Sequence, residues 1–187
     1  MPTSQEYKIR RITSDKMKRQ AAGIVASTRV SKENNRKEYR EYRDYFYGFF
    51  RRTEQVFGVF HGRKIVGASM AIPYTTFQKN GGFNTMHISA ILRERNISEK
   101  GLNYLGSLGV REEHRGHSLA KKMLVAKMRS VIESGSTHLI AGVINPRLVD
   151  ALEKLGFEKL GIAPYARPET IMYHGNAGKV LEELEKE

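Results

Sequence analysis

Residues 105–120 read Leu-Gly-Ser-Leu-Gly-Val-Arg-Glu-Glu-His-Arg-Gly-His-Ser-Leu-Ala, and their reading decides the fold. The segment opens as a buried strand, crosses a short polar turn and continues as a helix. Arg115, Gly116, His117 and Ser118 fall where that helix starts. The first N–H groups of a helix have no acceptor within it, and the positive end of the helix dipole lies at the same place. Such a spot suits a phosphate or pyrophosphate.

Outward from this segment, a strand is predicted over 102–110 and a helix over 115–134, with Ala120, Leu124, Met128, Val131 and Ile132 on one face. A buried strand follows at 138–144. Asn145-Pro146 then opens a helix, with Asn as cap and Pro at the first helical position. Gly156 stops it, and strands at 157–163 and 170–174 precede a charged terminal helix at 178–187. Upstream, residues 7–11 form a first strand and 16–30 a first helix. A second helix spans 34–52, with Tyr39, Tyr42, Phe46 and Phe49 in one apolar stripe. Strands at 56–60 and 65–72 flank the turn His61-Gly62-Arg63-Lys64. Residues 83–91 read as a strand or an active-site loop. The strand–helix–strand units around 105–144 and 138–162 imply a partly parallel sheet with helices against it.

The 187 residues suit one domain with a substantial core. At 40% hydrophobic and 28% charged the composition is that of a soluble globular chain, and no apolar run approaches the ~20 residues of a spanning helix. The start lacks an apolar signal core, so a cytoplasmic location is expected. The absence of cysteine excludes disulfides, zinc fingers, iron–sulfur clusters and a thiol nucleophile. A net charge of +12 biases the chain toward anionic partners.

The order of elements and two motifs resemble the GNAT superfamily of N-acetyltransferases. That family marks its acetyl-CoA site with Arg/Gln-x-x-Gly-x-Gly/Ala after a strand ending in a Leu-x-Val-like pattern. Here the strand ends Leu108-Gly109-Val110 and the loop reads Arg115-Gly116-His117-Ser118-Leu119-Ala120. The second marker, a helix from Asn to Gly-Phe, spans Asn145 to Gly156-Phe157. The resemblance implies an α/β (α+β) fold: a mixed, centrally splayed sheet of about six or seven strands flanked by helices. It also implies acetyl-CoA as co-substrate and no metal. The amides of 116–120 would cradle the pyrophosphate beside Arg115. The backbone of Leu108 and Val110 would hold the pantetheine arm and polarise the thioester carbonyl, with Asn145 near the cofactor. Ser118 stands where the family usually has its middle glycine, and its hydroxyl is expected to add one hydrogen bond to the phosphate.

Both usual catalytic positions differ. The place of the common Glu base is taken by Tyr104, a poor base with an ordinary pKa of about 10. The place of the common Tyr acid is Leu152. His87 is the substitute base, with Glu94 and Glu169 as weaker candidates, and Tyr165 or Tyr173 the substitute acid. Positioning alone also supplies much of the rate. His114 and His117 are expected to face phosphate or solvent rather than a metal. The function implied is acetyl transfer to a primary amine on a small molecule or an anionic macromolecule. Two alternatives remain at this point: a synthase fed by an acidic acyl carrier protein, and a non-catalytic module that binds RNA or an acidic partner through the basic, aromatic helix 34–52.

Overall fold

The computed structural model describes residues 6–79, 85–144, 148–163 and 170–186. Among them are seven strands in one open, mixed sheet of order β1-β2-β3-β4-β5-β7-β6. The strands are β1 (Tyr7–Arg11), β2 (Val56–His61), β3 (Lys64–Pro73), β4 (Leu102–Val110), β5 (His138–Val143), β6 (Glu158–Ala163) and β7 (Thr170–Asn176). The helices are α1 (Asp15–Ser27), α2 (Arg36–Phe50), α3 (Tyr74–Lys79), α4 (Thr85–Glu94), α5 (Leu119–Glu133), α6 (Val149–Lys154) and α7 (Ala177–Lys186). None is long and apolar enough to cross a membrane. The contacts form two compact units: residues up to Met70 with Ser107–Lys127, and Ala71–Gly106 with the residues from Met128 onward.

In the first unit, α1 starts at Ser14, whose hydroxyl accepts from the Met17 amide. Its inner face is almost all small: Ala21, Ala22, Gly23 and Ala26 are buried beside Ile24 and Val25. This lets the helix lie directly on β4. A Cβ on Gly109 would stand 3.0 Å from Thr28 Cγ2 and 3.1 Å from Val25 Cα. Helix α2 is capped by Asn35, which accepts from the Glu38 amide and donates to the Glu38 carboxylate. The expected aromatic stripe faces inward: Phe46 and Phe49 are buried and Tyr39 and Tyr42 half-buried, with Phe50 added. β1, β2 and β3 form an antiparallel meander. Its turn is tighter than the expected four residues, because Gly62 adopts φ +61° and His61 pairs with Lys64.

In the second unit, β4 pairs in parallel with β5 from Leu102↔His138 to Leu105↔Ala141. Residues 106–110 lie beyond that ladder. Ser107, the second of them, takes φ +43°, a conformation that bends a strand out of regular pairing. The strand–helix–strand unit after β5 is present, but β6 does not pair with β5. β7 lies between and is antiparallel to both. Helix α6 ends as Gly156 predicts: with φ +78°, it lets the Gly156 amide reach Glu153 O and the Phe157 amide reach Leu152 O. Asn145 and Pro146, the expected start of that helix, lie outside the described residues.

Two expectations are corrected. Residues 85–94 are helix α4, not a strand. The alternation of Met86, Ile88 and Ala90 resembles a strand, but Ile88 and Leu92 are the buried pair at helical spacing, and Met86 is 87% exposed. Helix α5 starts at Leu119 rather than Arg115, and its buried face only partly matches the expected one. Met128 and Val131 are buried as expected and Leu124 is half-buried, but Ala120 and Ile132 are exposed, while Leu119, Met123 and Lys127 are buried.

Candidate functional site

The turn after β4 is fixed by its own backbone. The Arg111 amide donates to Val66 O at 2.9 Å, His114 to Arg111 O at 3.0 Å and Arg115 to Glu112 O at 3.1 Å, around the single 3₁₀ turn Glu112–His114. The Arg115 side chain folds back, its Nε donating to Val110 O at 3.3 Å. Below the turn, Val59, Val66, Val110, Leu119 and Met123 form a closed apolar cluster. Burying each of these side chains contributes roughly 1.5–3 kcal/mol, so the strand end and the helix start are held to one base.

Past Arg115 the chain takes two left-handed steps, Gly116 at φ +86° and Ser118 at φ +53°. Ser118 therefore adopts the conformation that glycine takes most easily. Its carbonyl accepts the first bond of α5, from the Lys122 amide at 3.0 Å. Among the described residues, no amide from 116 to 120 has an acceptor within the chain. Five consecutive N–H groups without an acceptor thus lie at a helix start beside an exposed arginine, a candidate anion cradle.

A ring cluster buttresses this cradle. The Tyr7 hydroxyl lies 3.0 Å from His114 Nδ1. The Tyr7 ring is 5.0 Å from that of His61 and 5.0 Å from that of His117, and His61 is 5.2 Å from His114. Among the described residues, no three His, Asp or Glu side chains are placed to hold a metal. Sequence reasoning found His114 and His117 but missed Tyr7 and His61, which come from β1 and from the end of β2.

The strand residues separate by role. Leu108 is 39% exposed, Gly109 abuts α1, and Val110 belongs to the apolar cluster. Asn145 lies outside the described residues, as do Tyr165 and Glu169. In the second unit, Tyr104 is buried and stacked on Phe77, with ring centroids 4.1 Å apart and planes at 18°. Tyr173 is fully buried, and its hydroxyl donates to Glu153 Oε1 at 3.3 Å. Burial, then the charge of Glu153, raises its pKa above the usual tyrosine value. The pairing puts Tyr104 level with Ile140 and His174, and Tyr173 level with Ala141 and Leu105. Successive residues alternate in side, so the two tyrosines lie on opposite faces of the sheet. His87 is exposed on α4. Tyr104 and Tyr173 are thus not gathered on one face.

One buried group escaped the sequence entirely. Lys127 is 2% exposed on the inner face of α5, and among the described residues it has neither a hydrogen bond nor an ion pair. Burial alone lowers its pKa from 10.5 to about 7.

Known proteins were compared with this geometry in hand. No curated protein matches the sequence. Among solved structures, PH1933 from Pyrococcus horikoshii superposes with a TM-score of 0.66 at 16% identity, over 91% of this chain and 98% of that one. A polyamine N-acetyltransferase from Drosophila melanogaster gives 0.63 at 9% identity, over 91% and 100%. An agmatine N-acetyltransferase gives 0.57 at 11%, over 91% and 99%. At these identities the likeness is one of fold. The sequence itself matches the acetyltransferase (GNAT) family over residues 24–157, a span that runs from α1 through the cradle to the Gly-Phe pair, and the chain therefore belongs to that family.

Proposed function

We propose that the chain transfers an acetyl group from acetyl-CoA to a primary amine. The observation that carries this reading is the run of acceptor-free amides at 116–120 with Arg115 beside it. A diphosphate needs several donors and positive charge, and acceptor-free amides beside Arg115 support that reading. The residues present thus fit the donor. The amides and Arg115 would bind its diphosphate, and the backbone of Leu108 and Val110 would orient the pantetheine arm. When bound, acetyl-CoA supplies an activated thioester carbonyl and a thiolate leaving group.

The chain's own task is then positioning and proton management. A backbone N–H of the strand end would hydrogen-bond the carbonyl oxygen where charge develops. The amine nitrogen forms its bond to the carbonyl carbon as the carbon–sulfur bond breaks, and the amine proton passes to base or water. Tyr173 keeps its proton, which rules it out as the base, and its buried hydroxyl donates to Glu153. The amine as acceptor is supported by neighbours named for agmatine and polyamine acetylation.

Titration calorimetry with acetyl-CoA tests the donor. The native protein should bind it, and Arg115→Ala should weaken binding about tenfold, the effect of one charge-assisted contact. Absence of binding by the native protein overturns the reading. Thiol release with a panel of diamines, polyamines and aryl amines then identifies the acceptor.

A further inference from the structure

The first unit contains a cavity of about 930 Å³ in which neither Arg115 nor the amides of 116–120 take part. Its wall comes from separate parts of the chain: Lys16 and Arg19 of α1, Arg43 of α2, Arg63 and Lys64 at the β2–β3 turn, and Arg111 after β4. With Lys32 from the α1–α2 loop, seven cations face two carboxylates. Both carboxylates are engaged, since Asp15 accepts from the Tyr47 hydroxyl and Glu113 lies 3.9 Å from Arg111, and of the cations Arg43 is paired with Asp44 at 2.8 Å. Among the described residues, Lys16, Lys32, Arg63 and Lys64 have no ion-pair partner. Like charges gathered around one hollow repel each other and raise the local concentration of counter-ions.

The shape and lining narrow the class of ligand. The volume lies within the roughly 300–1,000 Å³ typical of small-molecule sites. The cations converge on a hollow from several elements rather than tracking along a strip, as a long polymer would need. Base stacking is disfavoured, because Arg19 lies over the Tyr47 ring at 5.1 Å and the Tyr39 hydroxyl is tied to Gly23 O. Arginine forks and lysine ammonium groups together match phosphate oxygens. We propose that this cavity is a second anion site, which takes a small molecule carrying several phosphate groups. The proposal does not depend on acetyl transfer.

Calorimetric titration with inorganic tripolyphosphate, ATP and citrate at low ionic strength tests it, on the protein alone and on the protein saturated with coenzyme A. Tripolyphosphate should bind saturably, one per chain and more tightly than citrate, whether or not coenzyme A is present. The double change Arg63→Glu with Lys64→Glu, on an exposed turn, should weaken that binding at least about tenfold and leave coenzyme A affinity within about twofold. Lys16→Glu, on a different wall, should act in the same direction. The proposal is overturned by absence of saturable binding, by competition between tripolyphosphate and coenzyme A, or by indifference to these changes. It is overturned equally if a single-stranded RNA oligonucleotide binds more tightly than tripolyphosphate and loses affinity in the same variants. If coenzyme A fails to bind, the titration of the protein alone still decides this site.

Discussion

Replacing Lys127 with methionine should make the protein more stable. The two side chains are similar in length and unbranched, so the packing of α5 against the apolar cluster is kept while the ammonium is removed. The lysine pKa falls from 10.5 in the unfolded chain to about 7 in the fold. At about 1.36 kcal/mol for each tenfold change in proton affinity, charge burial costs the fold about 5 kcal/mol below pH 7. The sign follows from proton counts. Between pH 7 and 10.5 the unfolded chain carries a proton at this site and the folded chain does not, so stability rises with pH across that window. The advantage of Lys127→Met should therefore be about 4–5 kcal/mol at pH 7 and about 2 kcal/mol at pH 9. Urea unfolding of both proteins at the two pH values measures it, and comparison of the pair cancels every other titration. A variant no more stable at pH 7 refutes the reasoning, as does an advantage that fails to shrink toward pH 9.

Other substitutions probe the elements around the cradle. Gly109→Ala pushes a methyl into the α1 backbone and should cost about 1–3 kcal/mol, measured by chemical unfolding. Ser118→Gly relieves a left-handed serine and should raise stability by up to about 1 kcal/mol with acetyl-CoA binding retained, while a loss of that size would contradict the conformational account. His174 stacks on His138, its Nε2 3.2 Å from His138 Nδ1, and burial, then His138, lowers its pKa below 6.5. The folded chain there binds fewer protons than the unfolded one, so stability should drop as pH falls below 6.5. His174→Gln should flatten that acid limb in melting curves taken between pH 7.5 and pH 5.

How much of this was legible in the chain differs by element. The end of β4 follows from the Leu-Gly-Val run that meets charged Arg111, and the end of α6 from a glycine whose φ is positive. The start of α5 lies four residues later than the expected Arg115, because the backbone reverses hand at Gly116 and Ser118 before the helix can propagate. The buried face of α5 was only partly legible. A lysine at 127 argues for an exposed position, yet Lys127 is buried on the same face as Met123 and Val131. The cradle was visible as a motif. Its ring cluster was not, since Tyr7 and His114 are 107 residues apart and no local spacing links them. The faces of Tyr104 and Tyr173 depend on strand register, which the sequence leaves open until β7 is placed between β5 and β6.

That long tie has an operational meaning. β1 is an outermost strand, paired on one side only, with β2. Peripheral strands of this kind fray at lower free energy than the interior. Since Tyr7 props His114 and His117, transient peeling of the first few residues would slacken the anion cradle while the remaining strands stay zipped. Donor affinity would then report on the integrity of the chain's leading edge well before any global melting signal does.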